Sequence, residues 1–93
     1  MRNIIDVCNQ LILVVNEKIP DYHKLIIHDI EIVKRNSSYR PPELQYMDWE
    51  DLGQIINDYA NHSEMDECDI KLLSILCDKT EEEIIEMSIR RYL

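Results

Sequence analysis

The chain has 93 residues, 45% of them apolar, with one glycine, three prolines, no phenylalanine and a formal charge of −9 at neutral pH. That length suits a single domain burying roughly two-thirds of the surface its unfolded chain exposes, and the apolar fraction excludes wholesale disorder. A lone glycine, Gly53, excludes Gly-rich phosphate loops and argues against hairpin-rich β folds, since both need backbone at φ > 0.

Apolar residues at helical spacing predict a first helix over 3–18. Ile4, Val7, Cys8, Leu11, Ile12, Val14 and Val15 cover about half of its circumference, with Asn3, Asp6, Gln10 and Glu17 opposite and Leu13 among them. A face this wide belongs to a central helix, and Pro20 ends it. Asp21 is expected to cap a second helix reaching about Arg35. Its buried side reads Tyr22, Leu25, Ile26, Ile30, Ile32 and Val33, and Lys24, His28, Glu31 and Arg35 form a polar line. Asp29 falls by phase inside the buried arc, where a lone carboxylate needs a partner such as Arg40 or a tyrosine hydroxyl. Ile27 joins Leu13 as an apolar residue on an otherwise polar side.

Residues 36–47 break the pattern. Adjacent Pro41 and Pro42 predict an ordered loop with a short turn after Pro42. Asp48 is then expected to cap a third helix through about Asn61. Trp49, Leu52, Ile55, Ile56 and Tyr59 share one side of it, and Glu50, Asp51, Gln54, Asn57, Asp58 and Asn61 share the other. Ser63 with Asp66 resembles a capping box opening a fourth helix to about Cys77. Thr80 with Glu83 is a full capping box for a fifth, whose glutamates suit its N-terminus and whose Arg90 and Arg91 suit its end. The predicted fold is all-α, a compact bundle of four to five short helices forming one domain over 1–93.

Charge is unevenly distributed. Residues 1–40 hold six Lys/Arg against five Asp/Glu, and residues 41–93 hold four against fourteen. From Pro41 to Ile70 there are nine acids and no Lys or Arg, although ordinary helix faces mix both signs. The plain reading is a solvated face that keeps a small protein dispersed. The functional reading is a surface that docks onto a basic partner, because a one-sign face costs stability by self-repulsion and steers encounter with the opposite charge. Four of the six aromatic residues, Tyr39, Tyr46, Trp49 and Tyr59, fall within twenty-one positions that overlap the acids. Trp49 and Tyr59 are in phase with the core, which leaves Tyr39 and Tyr46 as candidate interface anchors. The candidate partner-binding set is Tyr39, Tyr46, Asp48, Glu50, Asp51, Gln54, Asp58 and Asn61.

Other chemistries find little support. Three cysteines without C-x-x-C spacing suit free thiols in a reducing compartment, so a cytoplasmic location is expected. Cys8, Cys68 and Cys77 with His23, His28 and His62 offer no zinc-ligand spacing, so no metal or cofactor is expected. No serine or cysteine sits in an activating turn, and no catalytic residue is assigned. No apolar run is long enough for a membrane span, and Asp6, Asn9 and Gln10 interrupt the only stretch that looks like a leader. Leu72–Leu76 followed by Thr80–Ile84 has the rhythm of a helix-turn-helix, yet Glu81, Glu82 and Glu83 stand where a DNA-reading helix needs cations. Direct nucleic-acid binding is therefore not expected.

A small helical domain with an acidic helix and nearby tyrosines resembles in kind the immunity proteins that neutralise bacterial nuclease toxins. It is also similar in character to phage-encoded inhibitors that imitate the charge of nucleic acid. An isoleucine excess, fifteen against nine leucines, hints at an AT-rich gene of the sort such loci often have. The resemblance implies a non-enzymatic cytosolic inhibitor that masks a basic site on a partner such as a nuclease toxin. The alternative is a structural or assembly module that self-associates or joins a larger complex through a leftover apolar stripe, suggested by Leu13 and Ile27. Oligomeric state is left open.

Overall fold

The computed structural model describes residues 2–18, 25–60 and 66–91. Helix α1 (Ile4–Lys18) starts where Asn3 caps it: the Asn3 side-chain oxygen accepts the Ile5 N–H at 2.8 Å, and its carbonyl accepts the Val7 N–H at 3.1 Å. Ile4, Val7, Cys8, Leu11, Val14 and Val15 are all buried, at the three-and-four spacing that places them on one stripe. Helix α2 (Leu25–Tyr39) packs against one side of α1 and α4 (Glu67–Cys77) against another. Helix α3 (Tyr46–Ala60) packs against both α2 and α4, so the four helices close a ring, and α5 (Glu81–Arg91) packs on α4. The fold is all-α, with no strand among the described residues. None of the described helices is long and apolar enough to cross a membrane.

The molecule measures 40 × 29 × 18 Å. Its short dimension is about two helix diameters, so the core is a single seam between layers rather than a deep interior. Leu11, Ile30, Leu52, Ile56 and Leu72 are each wholly enclosed in that seam. Each such side chain contributes about 1.5–3 kcal/mol of transfer free energy. The Arg2 guanidinium ties the seam's edge together. It donates to the carbonyls of Leu76, at 2.8 Å, and Ile75 at the end of α4, and lies 5.2 Å from the centroid of the Trp49 ring on α3. Helix α4 closes on Asp78 in the left-handed conformation at φ 56°, with the Asp78 and Lys79 N–H groups both returning to the Ser74 carbonyl.

The structure departs from the sequence-based expectations at several ends. Helix α2 runs to Tyr39 rather than Arg35, because Ser37 extends the buried stripe of Ile26, Ile30 and Val33 by one turn. Packing thus overrides the weak helix propensity of Asn-Ser-Ser, and the helix stops before Arg40, whose following proline disfavours helical backbone. A 3-10 turn at Pro42–Leu44 follows, in agreement with the turn expected there. Helix α3 begins at Tyr46, two residues ahead of the expected cap. The capping box of α4 is formed by Asp66 and Asp69 rather than by Ser63 and Asp66: the Asp66 carboxylate accepts the Asp69 N–H at 2.9 Å, and that of Asp69 accepts the Asp66 N–H at 3.1 Å. Leu25, expected in the core, is exposed, and Ile27, expected on the polar side, packs against the core. Pro20, Asp21, Tyr22 and Ser63 lie outside the described residues.

Candidate protein-docking cleft

A tight corner joins α2 to α3 and sets how their outer faces meet. The Ser37 carbonyl accepts the Arg40 N–H at 3.3 Å and the Gln45 side-chain amide at 3.3 Å, drawing both ends of the corner to one point. Arg40 then stands 3.6 Å from Asp48 through its Nε, and its Nη1 reaches the Met47 sulfur at 3.3 Å. Asp48, placed by sequence among the partner-binding acids, is completely buried. The reason is the earlier start of α3. Starting at Tyr46 moves Asp48 off the capping position and onto the inward stripe of Leu52 and Ile56, at spacings of four. Arg40, proposed as a partner for Asp29, is paired with Asp48 instead.

Beyond the corner, the flanks of the two helices border an open cleft of about 300 Å³. Asp29, Ile32, Val33 and Asn36 line it from α2, and Asp51, Gln54, Ile55 and Asp58 from α3. Both sets follow the same progression, i, i+3, i+4 and i+7, so two matched helical ridges face one another. Asp29 lies at one end of its ridge, and Asp51 and Asp58 at both ends of theirs. Ile32, Val33 and Ile55 supply an apolar floor between them. The Gln54 side-chain amide donates to Asp58 Oδ1 at 2.7 Å, which leaves Asp58 Oδ2 available as an acceptor. Among the described residues, no Lys or Arg forms an ion pair with Asp29, Asp51 or Asp58; Arg40 pairs with Asp48, and Lys79 with Glu83.

The cleft therefore brings together Asp51, Gln54 and Asp58 from the sequence-derived set and adds Asp29, which is exposed on the flank of α2 rather than buried in its core stripe. Glu50 is exposed beside the cleft without lining it. Tyr39 and Tyr46 are 84% and 58% exposed near the corner and do not line it either. Asn61 lies outside the described residues. Trp49 and Tyr59 are half-buried against the core, as their phase requires. Of the remaining acids, Asp66 and Asp69 are engaged in the α4 capping box, while Glu43 and Glu67 are exposed. Sequence reasoning missed the whole α2 wall. The signal that could have found it is the shared spacing of 29–36 and 51–58, which becomes informative only once the two helices are known to pack.

Elsewhere the polar groups have structural surroundings. Burial pushes the Cys8 thiol up to about 11, with Lys34 opposing the shift and Asp48 adding to it, so it stays a protonated core thiol at neutral pH. Burial, followed by the nearby acids Asp66, Asp69 and Glu67, also raises the Cys68 thiol. Among the described residues, no three His, Cys, Asp or Glu side chains gather closely enough to hold a metal ion. Comparison with protein-family models, with curated proteins and with solved structures yields no match.

Proposed function

We propose that this chain is a small non-enzymatic binding protein of the cytoplasm whose α2–α3 face covers a basic site on a partner protein. An immunity-like inhibitor of a cationic toxin is the form of that role it fits best. One observation carries the reading. Asp29, Asp51 and Asp58 converge from two helices on one cleft, and no described cation neutralises them. A lining of one sign draws in a group of the opposite charge. Exposed Tyr39 and Tyr46 near the corner supply the large, stiff contact area that interface anchors use.

A second reading, self-association, draws on the exposed apolar side chains of Tyr39, Leu44, Tyr46 and Met47 around the same corner, with Leu13 exposed on α1. One experiment separates the two. Tagged protein is incubated with lysate of the source cell and an untagged copy of the chain, then washed at about 50 and 500 mM salt, on either side of the Debye screening regime. Charge-led docking predicts capture of basic proteins that falls at high salt and disappears with the double substitution Asp51→Lys and Asp58→Lys. Capture indifferent to salt and to that substitution contradicts it, and recovery of the untagged copy at both salts supports self-association.

A further inference from the structure

Resting on that reading, we infer that the α2–α3 cleft takes the side chain of a single arginine presented by the basic partner. The aliphatic stem lies along Ile32, Val33 and Ile55, and the guanidinium lies at the end of the cleft away from the corner, between Asp29 and Asp58. Size, floor and walls each narrow the choice. The cleft is open and about 300 Å³, at the lower end of sites that hold a small ligand, with room for one long side chain. An apolar floor offers nothing to a hydrated metal ion or a compact ammonium, and it favours a chain of methylenes. Acidic walls repel an apolar or anionic group. A long side chain with a methylene stem and a cationic head satisfies both surfaces at once.

Arginine fits better than lysine because the acceptors come from two helices and are spread apart. A guanidinium presents five N–H donors in a rigid plane, and it gives up water more readily than an ammonium, whose charge is concentrated at one point. The internal bond from Gln54 to Asp58 Oδ1 holds that carboxylate in place, with Oδ2 still free to accept. The ligand thus meets a wall that is already ordered on one side.

The test follows the side-chain methyl resonances of Ile32 and Ile55 by NMR during titration with three synthetic peptides of equal charge. One repeats Gly-Arg four times. The second replaces each arginine with 2-amino-3-guanidinopropionic acid, two methylenes shorter. The third carries lysine. The expected result is saturable movement of both methyl signals with the arginine peptide, binding about tenfold weaker for the short homologue, and loss of binding in the double substitution Asp29→Asn and Asp58→Asn. Equal binding of the two guanidinium peptides with unmoved methyl signals overturns the inference and leaves acidic-face docking intact. Equal binding of the lysine peptide with the same methyl shifts overturns the choice of arginine. Failure of all three peptides to bind speaks against the docking reading itself.

Discussion

At the scale of single residues, the Asp48–Arg40 pair shows how position within a helix decides what an acid does. Asp48 has no exposed surface, neither of its oxygens receives a hydrogen bond, and Arg40 is its paired cation at 3.6 Å. Arg40, in contrast, keeps 31% of its side chain in water. Removing the two partners should therefore have unequal effects. Arg40→Ala strands a buried carboxylate and is expected to cost about 3 kcal/mol of stability. Asp48→Asn releases a guanidinium that can turn to solvent, and the expected cost is nearer 1 kcal/mol. Urea unfolding of the two variants checks this, and equal losses would show that the pair is not what holds the corner. Glu50 and Asp51, two and three residues beyond Asp48 on the same helix, remain exposed. A run of acids in the sequence thus mixes a strut of the fold with a solvent-facing surface, and composition alone does not separate them.

At the scale of elements, one local signal was read correctly, the Thr80–Glu83 box, whereas the caps expected at Asp48 and at Ser63 with Asp66 fell elsewhere. The Thr80–Glu83 box was legible because all its partners lie within four residues. The Glu83 N–H donates to the Thr80 hydroxyl oxygen at 3.1 Å, and the Thr80 N–H donates to Glu83 Oε1 at 3.2 Å. Hydrogen bonds from the Thr80 backbone and then its hydroxyl, with Lys79 nearby, hold the Glu83 carboxyl below its usual range. A carboxylate whose folded pKa is depressed contributes its stabilisation above the unfolded pKa and loses it as pH falls through the folded one. The start of α5 should accordingly fray on acidification. A carboxyl-carbon NMR titration should find Glu83 titrating below the other exposed glutamates, and Thr80→Ala should return it toward them. An unshifted Glu83 in the parent protein would contradict the box. The end of α2, in contrast, was not legible, because Asn36 to Tyr39 stay helical only through the burial of Ser37 and the bonds that Arg40 and Gln45 make to its carbonyl.

At the scale of the whole molecule, four helices close on one another and the fifth is attached through one of them. Helix α1 buries six side chains between α2 and α4, whereas α5 packs on α4 and, among its described side chains, buries Ile84 and leaves Ile85 and Met87 43% and 52% exposed. Regions with few buried contacts open at a lower free energy than the global transition. Native-state hydrogen exchange should therefore find α5 amides exchanging through a local opening, while those around Leu11 and Val15 in α1 exchange only with global unfolding. Matching protection in the two helices would show that α5 belongs to the same cooperative unit. The docking cleft lies on the α2–α3 side of the ring, so a loosened α5 should leave its walls in place.

What the sequence determined on its own was whatever repeats at helical spacing or closes within a single turn: the all-α class, the broad buried face of α1, the 3-10 turn after the prolines and the α5 cap. The wide apolar stripe of α1 and the complete Thr–Glu box are local patterns that can be read without knowledge of neighbours. Only the tertiary structure decided that Asp48 turns inward, that Asp29 turns outward, and that Asp29, Asp51 and Asp58 share one cleft. Those outcomes depend on where α3 begins and on which flank of α2 it meets. A shift of two residues rotates a helical position by more than half a turn, and no pattern within one helix records the angle of the helix beside it.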